Sequence, residues 1–196
     1  MPAGTKLSFH EMMEGGFVLG ESDPVVGAEK GRAAATRLEM HATVAIDDLR
    51  RFVADPDHTG RLEGHVSFPP LGDHLPATTG LVRLFSRPKA GGSLRMVYQM
   101  GFRAGSRDYY LAGEKLVGQR NVLHAWRETT TLFTWLHEGR DADGAIVGAG
   151  VLKLTAGEFA KQLISFRAPG ASVAGGAGTM LRFGAFFAGQ LLRAYF

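Results

Sequence analysis

Arg37-Leu38-Glu39-Met40-His41-Ala42-Thr43-Val44 alternates polar and apolar side chains residue by residue, and Arg61-Leu62-Glu63-Gly64-His65-Val66-Ser67-Phe68 repeats the pattern. Successive side chains of an extended chain point to opposite faces, so a period of two marks a strand with one wet and one buried face. Leu38, Met40, Ala42 and Val44 share the buried side of the first segment. The same reading predicts strands over Thr79 to Phe85, Leu94 to Phe102, Tyr109 to Val117, Thr130 to His137 and Ile146 to Leu154, with Phe9 to Leu19 a looser eighth. Separators rich in Gly, Pro, Asp or charge lie at 69–76, 87–92, 104–108 and 139–144. Loops this short hold no parallel crossover, so the strands pair antiparallel. The expectation is an all-β fold with a few short helices, an antiparallel barrel or strongly curved sheet that is lipocalin-like in general shape.

Three segments read as helices. Ile46 to Val53 has an Asp cap, apolar residues at 46, 49, 52 and 53, and a stop at Asp55-Pro56. Thr155-x-x-Glu158 is a capping box, and the helix it opens places Phe159, Leu163 and Phe166 on one side. After a loose stretch at 168–178, an apolar C-terminal helix is expected at 179–196, with Phe183, Phe186, Phe187, Leu191 and Tyr195 forming a stripe. Packing on the barrel is the first expectation for that stripe, and contact with a membrane surface or a partner's groove through 179–196 is the second.

Composition sets bounds on function. A chain of 196 residues that is 45% hydrophobic makes one domain, residues 1–196, burying roughly 70% of its unfolded surface. With no cysteine, the chain has no disulfide, thiol nucleophile or zinc-thiolate site. Residues 159–196 carry Lys161, Arg167, Arg182 and Arg193 and no acid, while residues 1–158 hold 18 basic and 19 acidic side chains. The bases are dispersed and form no recognisable nucleic-acid module, so no nucleic-acid partner is expected. The N-terminus lacks the apolar core of a signal peptide and no stretch is long enough to span a bilayer, which points to a cytoplasmic setting.

The strings Phe9-x-Glu11-Met12 with Gly15-Gly16, Asp47-Asp48-Leu49 with Ala54-Asp55-Pro56-x-His58, and Leu62-x-Gly64-x-Val66 carry a resemblance to a known family. So do Tyr109-Tyr110-Leu111-x-Gly113-x-Lys115, Trp126-Arg127-x-Thr129-Thr130-Thr131-Leu132-Phe133 and Leu136-His137-Glu138-Gly139. Gly148-x-Gly150-x-Leu152, Phe159-Ala160-x-Gln162-Leu163 and Arg182-Phe183-Gly184-x-Phe186-Phe187 continue it, so it spans nearly the whole chain. The chain resembles an accessory domain found in large actinobacterial proteins beside a flavin oxidoreductase of the cholesterol-oxidase (glucose-methanol-choline) type and an α/β-hydrolase-like region. The resemblance implies a sterol or other lipophilic alcohol as context and a flavin oxidoreductase as partner, and it supplies no catalytic residues. GxGxxG, GxSxG and HExxH are absent from the chain, so the flavin and hydrolase chemistry belongs to those neighbours and no cofactor is expected here.

Two constellations can carry chemistry. Arg37-x-Glu39-x-His41 and Arg61-x-Glu63-x-His65 would line one face if their strands are adjacent, but a half-exposed strand shows the same pattern, and no metal site is assigned. The second lies within the family-like strings. Its candidate acid and base groups are His137, Lys115, Tyr110 and Glu11, the last a carboxylate in an apolar stretch that either plugs a barrel or sits in a turn. Tyr109, Trp126, Thr130, Phe133, Tyr98 and Glu138 are the candidate ligand-binding residues. The expected function is binding of a hydrophobic small molecule, sterol-, terpenoid- or acyl-like, in a barrel pocket. Alternatives are a cofactor-independent isomerase or cyclase on the same barrel, and a module holding an oxidoreductase near a membrane.

Overall fold

The computed structural model describes residues 5–87, 92–119, 122–170 and 172–196. Within these residues, eight strands run in sequence order: β1 Leu7–Leu19, β2 Arg37–Ile46, β3 Thr59–Phe68, β4 Gly72–Ser86, β5 Leu94–Ala104, β6 Arg107–Val117, β7 Thr131–Glu138 and β8 Ile146–Lys153. Each pairs antiparallel with the next and β8 pairs with β1, which closes a lipocalin-like barrel without a free edge. The alternation read from the sequence sets the faces: Leu38, Met40, Ala42 and Val44 are buried in the lumen. The triplets on the other side form the wet face. Arg37 bridges Glu14 at 3.1 Å and Glu39 at 2.8 Å, Arg61 pairs with Asp47 and Glu63, and His41 lies opposite His65 with their rings stacked at 4.5 Å.

Among the described residues, five α-helices accompany the barrel: α1 Pro24–Ala33, α2 Leu49–Ala54, α3 Ala125–Thr130, α4 Ala156–Ser165 and α5 Val173–Tyr195. The connections holding α2 and α3, together with α4 and α5, gather at one barrel end, where β2, β4, β6 and β8 finish. The opposite end is filled by rings, with Phe17 edge-on to Phe68 at 5.2 Å and Phe102 stacked on Tyr109 at 5.9 Å. Asp48 caps α2 through the amides of Arg50 and Arg51, and Thr155 caps α4 through that of Glu158, both as their sequences predict.

The structure corrects four readings. α1 was not expected, because its buried face is Gly27, Ala28 and Gly31, which carries no hydrophobic periodicity. A Cβ on Gly27 would run into the Ala149 carbonyl and one on Gly31 into the Phe17 amide, so α1 lies closer to β1 and β8 than any side chain permits. α3 was also missed; its Thr129 and Thr130 are good strand formers, yet both hydroxyls donate to carbonyls in its own first turn. β4 begins at Gly72, seven residues before the predicted start at Thr79, because the β3–β4 register slips between Arg61 and His65 and accommodates Pro76 opposite His65. α5 begins at Val173 inside the stretch read as loose, capped by Ser172 through the amide of Gly175. Most of the predicted separator at 87–92 lies outside the described residues.

Candidate functional site

A cavity of about 580 Å³ occupies the helix-covered end of the barrel. Inward residues of β1, β4, β5 and β6 form its floor, and α3, α4 and α5 form its walls through Trp126, Phe159, Phe166, Phe183, Phe187 and Leu191. The walls come from amphipathic helices whose aromatic residues recur at helical spacing. Phe166 stacks on Phe9 at 4.7 Å and Trp126 meets Phe159 edge-on at 5.0 Å. Helix α5 is fastened at its C-terminal end. Tyr195 donates to Glu128 Oε2 at 2.7 Å, and burial together with that bond pushes its phenol up to about 12. Gln190 Nε2 lies 3.2 Å from His58 Nε2, whose ring meets Phe186 edge-on.

The floor holds one polar cluster. Glu11, Tyr98 and Lys115 each stand on the inward side of an otherwise apolar strand: Leu7, Phe9 and Met13 flank Glu11, Met96 and Met100 flank Tyr98, and Leu111 and Val117 flank Lys115. Tyr98 pairs with Gly113 and Met96 with Lys115, so Tyr98 and Lys115 are diagonal neighbours across β5 and β6. Glu11 meets them across the lumen from β1. Lys115 Nζ donates to Glu11 Oε1 at 2.5 Å and to the Tyr98 hydroxyl at 3.2 Å, and that hydroxyl donates to Glu11 Oε2 at 2.9 Å. The ammonium also sits 4.6 Å from the centre of the Tyr98 ring. The Lys115 and Glu11 side chains are 2% and 1% exposed, so the ion pair is fully desolvated on the protein side. Burial, the Glu11 charge and the hydrogen bond to it hold the Tyr98 phenol well above its ordinary value, leaving it a neutral donor.

The candidate residues divide between the two barrel ends. Glu11, Tyr98, Lys115, Trp126 and Thr130 come together at the cavity, with the Thr130 hydroxyl committed to the Trp126 carbonyl at 2.7 Å. Tyr109, Tyr110, His137 and Glu138 sit at the far end, paired across β6 and β7, five or more residues and about 16 Å along the strand from Lys115. There His137 Nδ1 is 2.9 Å from the Gly144 carbonyl and helps close the turn after β7. Phe133 follows the alternation to the outer face. Phe159, Phe166, Phe183 and Phe187 were missing from the candidates; their signal was the helical aromatic spacing, which the sequence reading assigned to packing or, for the C-terminal stripe, to a membrane or partner's groove rather than to a ligand. Among the described residues, no group of three or more His, Asp or Glu is disposed to hold a metal ion.

No protein-family model, curated protein or solved structure gives a match to this chain.

Chemically, the cavity is a greasy chamber with one charge-neutral polar spot. The ammonium has three hydrogens, two of them directed to Glu11 and Tyr98, and the third can meet a ligand oxygen. The ion pair already balances its own charge, so an added anion would stand uncompensated in an apolar site.

Proposed function

We propose that the protein binds a hydrophobic small molecule bearing an uncharged oxygen, an alcohol, aldehyde or ketone, with that oxygen directed to Lys115 and the hydrocarbon against α3, α4 and α5. The observation that carries this reading is the buried Glu11–Tyr98–Lys115 cluster on the floor of an otherwise apolar cavity of about 580 Å³, within the range that holds small ligands. The resemblance to a domain beside cholesterol-oxidase-type enzymes makes a sterol-like alcohol or ketone the first class to try, with a flavin oxidoreductase as the companion that makes or consumes it. Displacement of a fluorescent apolar dye tests the reading with sterols, long-chain alcohols and the matching fatty acids. Neutral ligands should saturate at micromolar levels, about 8 kcal/mol of binding, while fatty acids bind more weakly. A panel in which nothing saturates removes the reading, and fatty acids binding tighter than the alcohols removes the head-group assignment.

A second reading is favoured by the same cluster, which gathers a carboxylate, a phenol and an ammonium on shared hydrogen bonds. On an enolisable ketone, Tyr98 and Lys115 would polarise the carbonyl while Glu11 moves a proton at the adjacent carbon. Deuterium uptake at that carbon in heavy water, followed by NMR, should slow by roughly 10²–10⁴ in Glu11→Gln if this chemistry operates. Uptake no faster than in buffer, across a ketone panel that binds, leaves only the binding function.

A further inference from the structure

We propose that the helix-covered end of the molecule docks on an anionic phospholipid surface, the outer stripe of α5 entering the interface while Arg50, Arg182 and Arg193 engage lipid phosphates. Two observations outside the cavity meet here. The first is the solvent side of α5. Phe183 is buried at 4% exposure and turns to the barrel, but Leu181, Ala185, Ala188 and Leu192 recur at i, i+4, i+7 and i+11 and are all exposed, Leu181 by 75% and Leu192 by 60%. A helix that buries one apolar face in its own fold ordinarily shows charge on the other; an uncharged apolar stripe facing water suits an interfacial helix. Ile164 of α4, 76% exposed, adds to the apolar surface at this end.

The second observation is a recess of about 650 Å³ between α2 and α5, lined by Arg50, Arg182 and Arg193 with Thr5, Thr179 and Gln190 among its polar residues. It has no carboxylate in its lining, and among the described residues none of the three guanidinium groups has an ion-pair partner. Asp48, beside Arg50 in sequence, is occupied with capping α2 and lies 3.8 Å from Arg51. Unpaired guanidinium groups in an acid-free recess beside an apolar stripe match a phosphodiester layer over hydrocarbon.

Charge decides between the occupants. A second copy meeting this face across a two-fold axis would set the same arginines against each other, whereas an anionic bilayer neutralises them. The stripe also joins the cavity: Gly184 and Ala188 line the cavity wall, and Ala188 belongs to the stripe.

Sedimentation of the full chain with phosphatidylcholine vesicles, with and without phosphatidylserine, tests the proposal in the absence of any cavity ligand, so its outcome is separate from that of the binding function. Each arginine near an anionic surface contributes roughly fivefold. The phosphatidylserine vesicles should bind on the order of a hundredfold more tightly, with the preference shrinking as salt rises. Replacing Arg50, Arg182 and Arg193 together by Gln should abolish the preference, and Leu181→Ser with Leu192→Ser should weaken binding to both vesicle types. All five side chains are exposed, and an unchanged melting temperature verifies that the variants fold. The proposal is overturned if the intact chain ignores vesicles, if the phosphatidylserine preference survives the Arg changes, if binding is undiminished by the Leu changes, or if light scattering shows a dimer that the Leu variants dissolve.

Discussion

Among the described residues Lys115 has one carboxylate for a counter-ion, Glu11, and the two side chains are 2% and 1% exposed. Breaking such a pair leaves a bare charge in the lumen, which costs about 3–5 kcal/mol, whereas removing both partners can be nearly neutral. Lys115→Met should therefore destabilise the fold by about that amount in urea unfolding, and Glu11→Gln combined with Lys115→Met should recover most of it. A double variant as unstable as the sum of the two singles would show that the residues do not act as a pair. This cluster was half legible beforehand. Glu11 stood out as a carboxylate in an apolar stretch, whereas Lys115 became a candidate through its family-like string, and its alternation with Tyr109, Leu111, Gly113 and Val117 places it inward. Their mutual contact was not legible, because it crosses the barrel between strands 104 positions apart. Tyr110 and His137, within the same family-like strings, lie at the other end because Tyr110 stands five residues back along β6 from Lys115 and β7, antiparallel to β6, runs away from the cavity to His137.

Among the elements, the outer face of β1 to β4 carries a row of imidazoles: His41 on His65 at 4.5 Å, His65 on His74 at 3.6 Å, and His10 6.2 Å from His41. Partial burial and neighbouring histidines lower the ring pKa of His65, against the opposing charge of Asp73; His10 is lowered in the same way, against Glu158 and Glu11. The sign follows from linkage. The unfolded rings take up protons near their ordinary value while the folded ones resist, so stability present above about pH 6.5 is lost as pH falls below it. Thermal unfolding between pH 7.5 and 5 should show this loss, and His65→Gln should reduce it. An unchanged slope in the variant would place the sensitivity elsewhere. The helices show why element type was unevenly legible. α4 announced itself through Thr155-x-x-Glu158, but α1 has a Gly27/Ala28/Gly31 contact face, and small residues chosen for close approach leave no apolar signal.

Over the whole molecule, α5 closes the barrel. Phe183 and Phe187 meet Phe52, Phe85 and Phe166, and Tyr195 ties the helix end to α3. Loss of one buried aromatic ring alone costs about 3–5 kcal/mol. Truncation after residue 172 should lower the melting temperature sharply and raise the fluorescence of an apolar dye even without ligand. A truncated chain that stays monomeric and melts normally would mean that the helix covers the cavity without supporting the core.

Period-two alternation and short polar turns determined from the sequence alone that the chain is antiparallel β, and they located all eight strands, because both signals act between residues a few positions apart. Barrel closure, the meeting of Glu11, Tyr98 and Lys115, and the exposure of one α5 face beside an arginine recess were decided only in three dimensions. Each depends on which distant segments come into contact, and a strand's own pattern says which side is buried without saying what it is buried against.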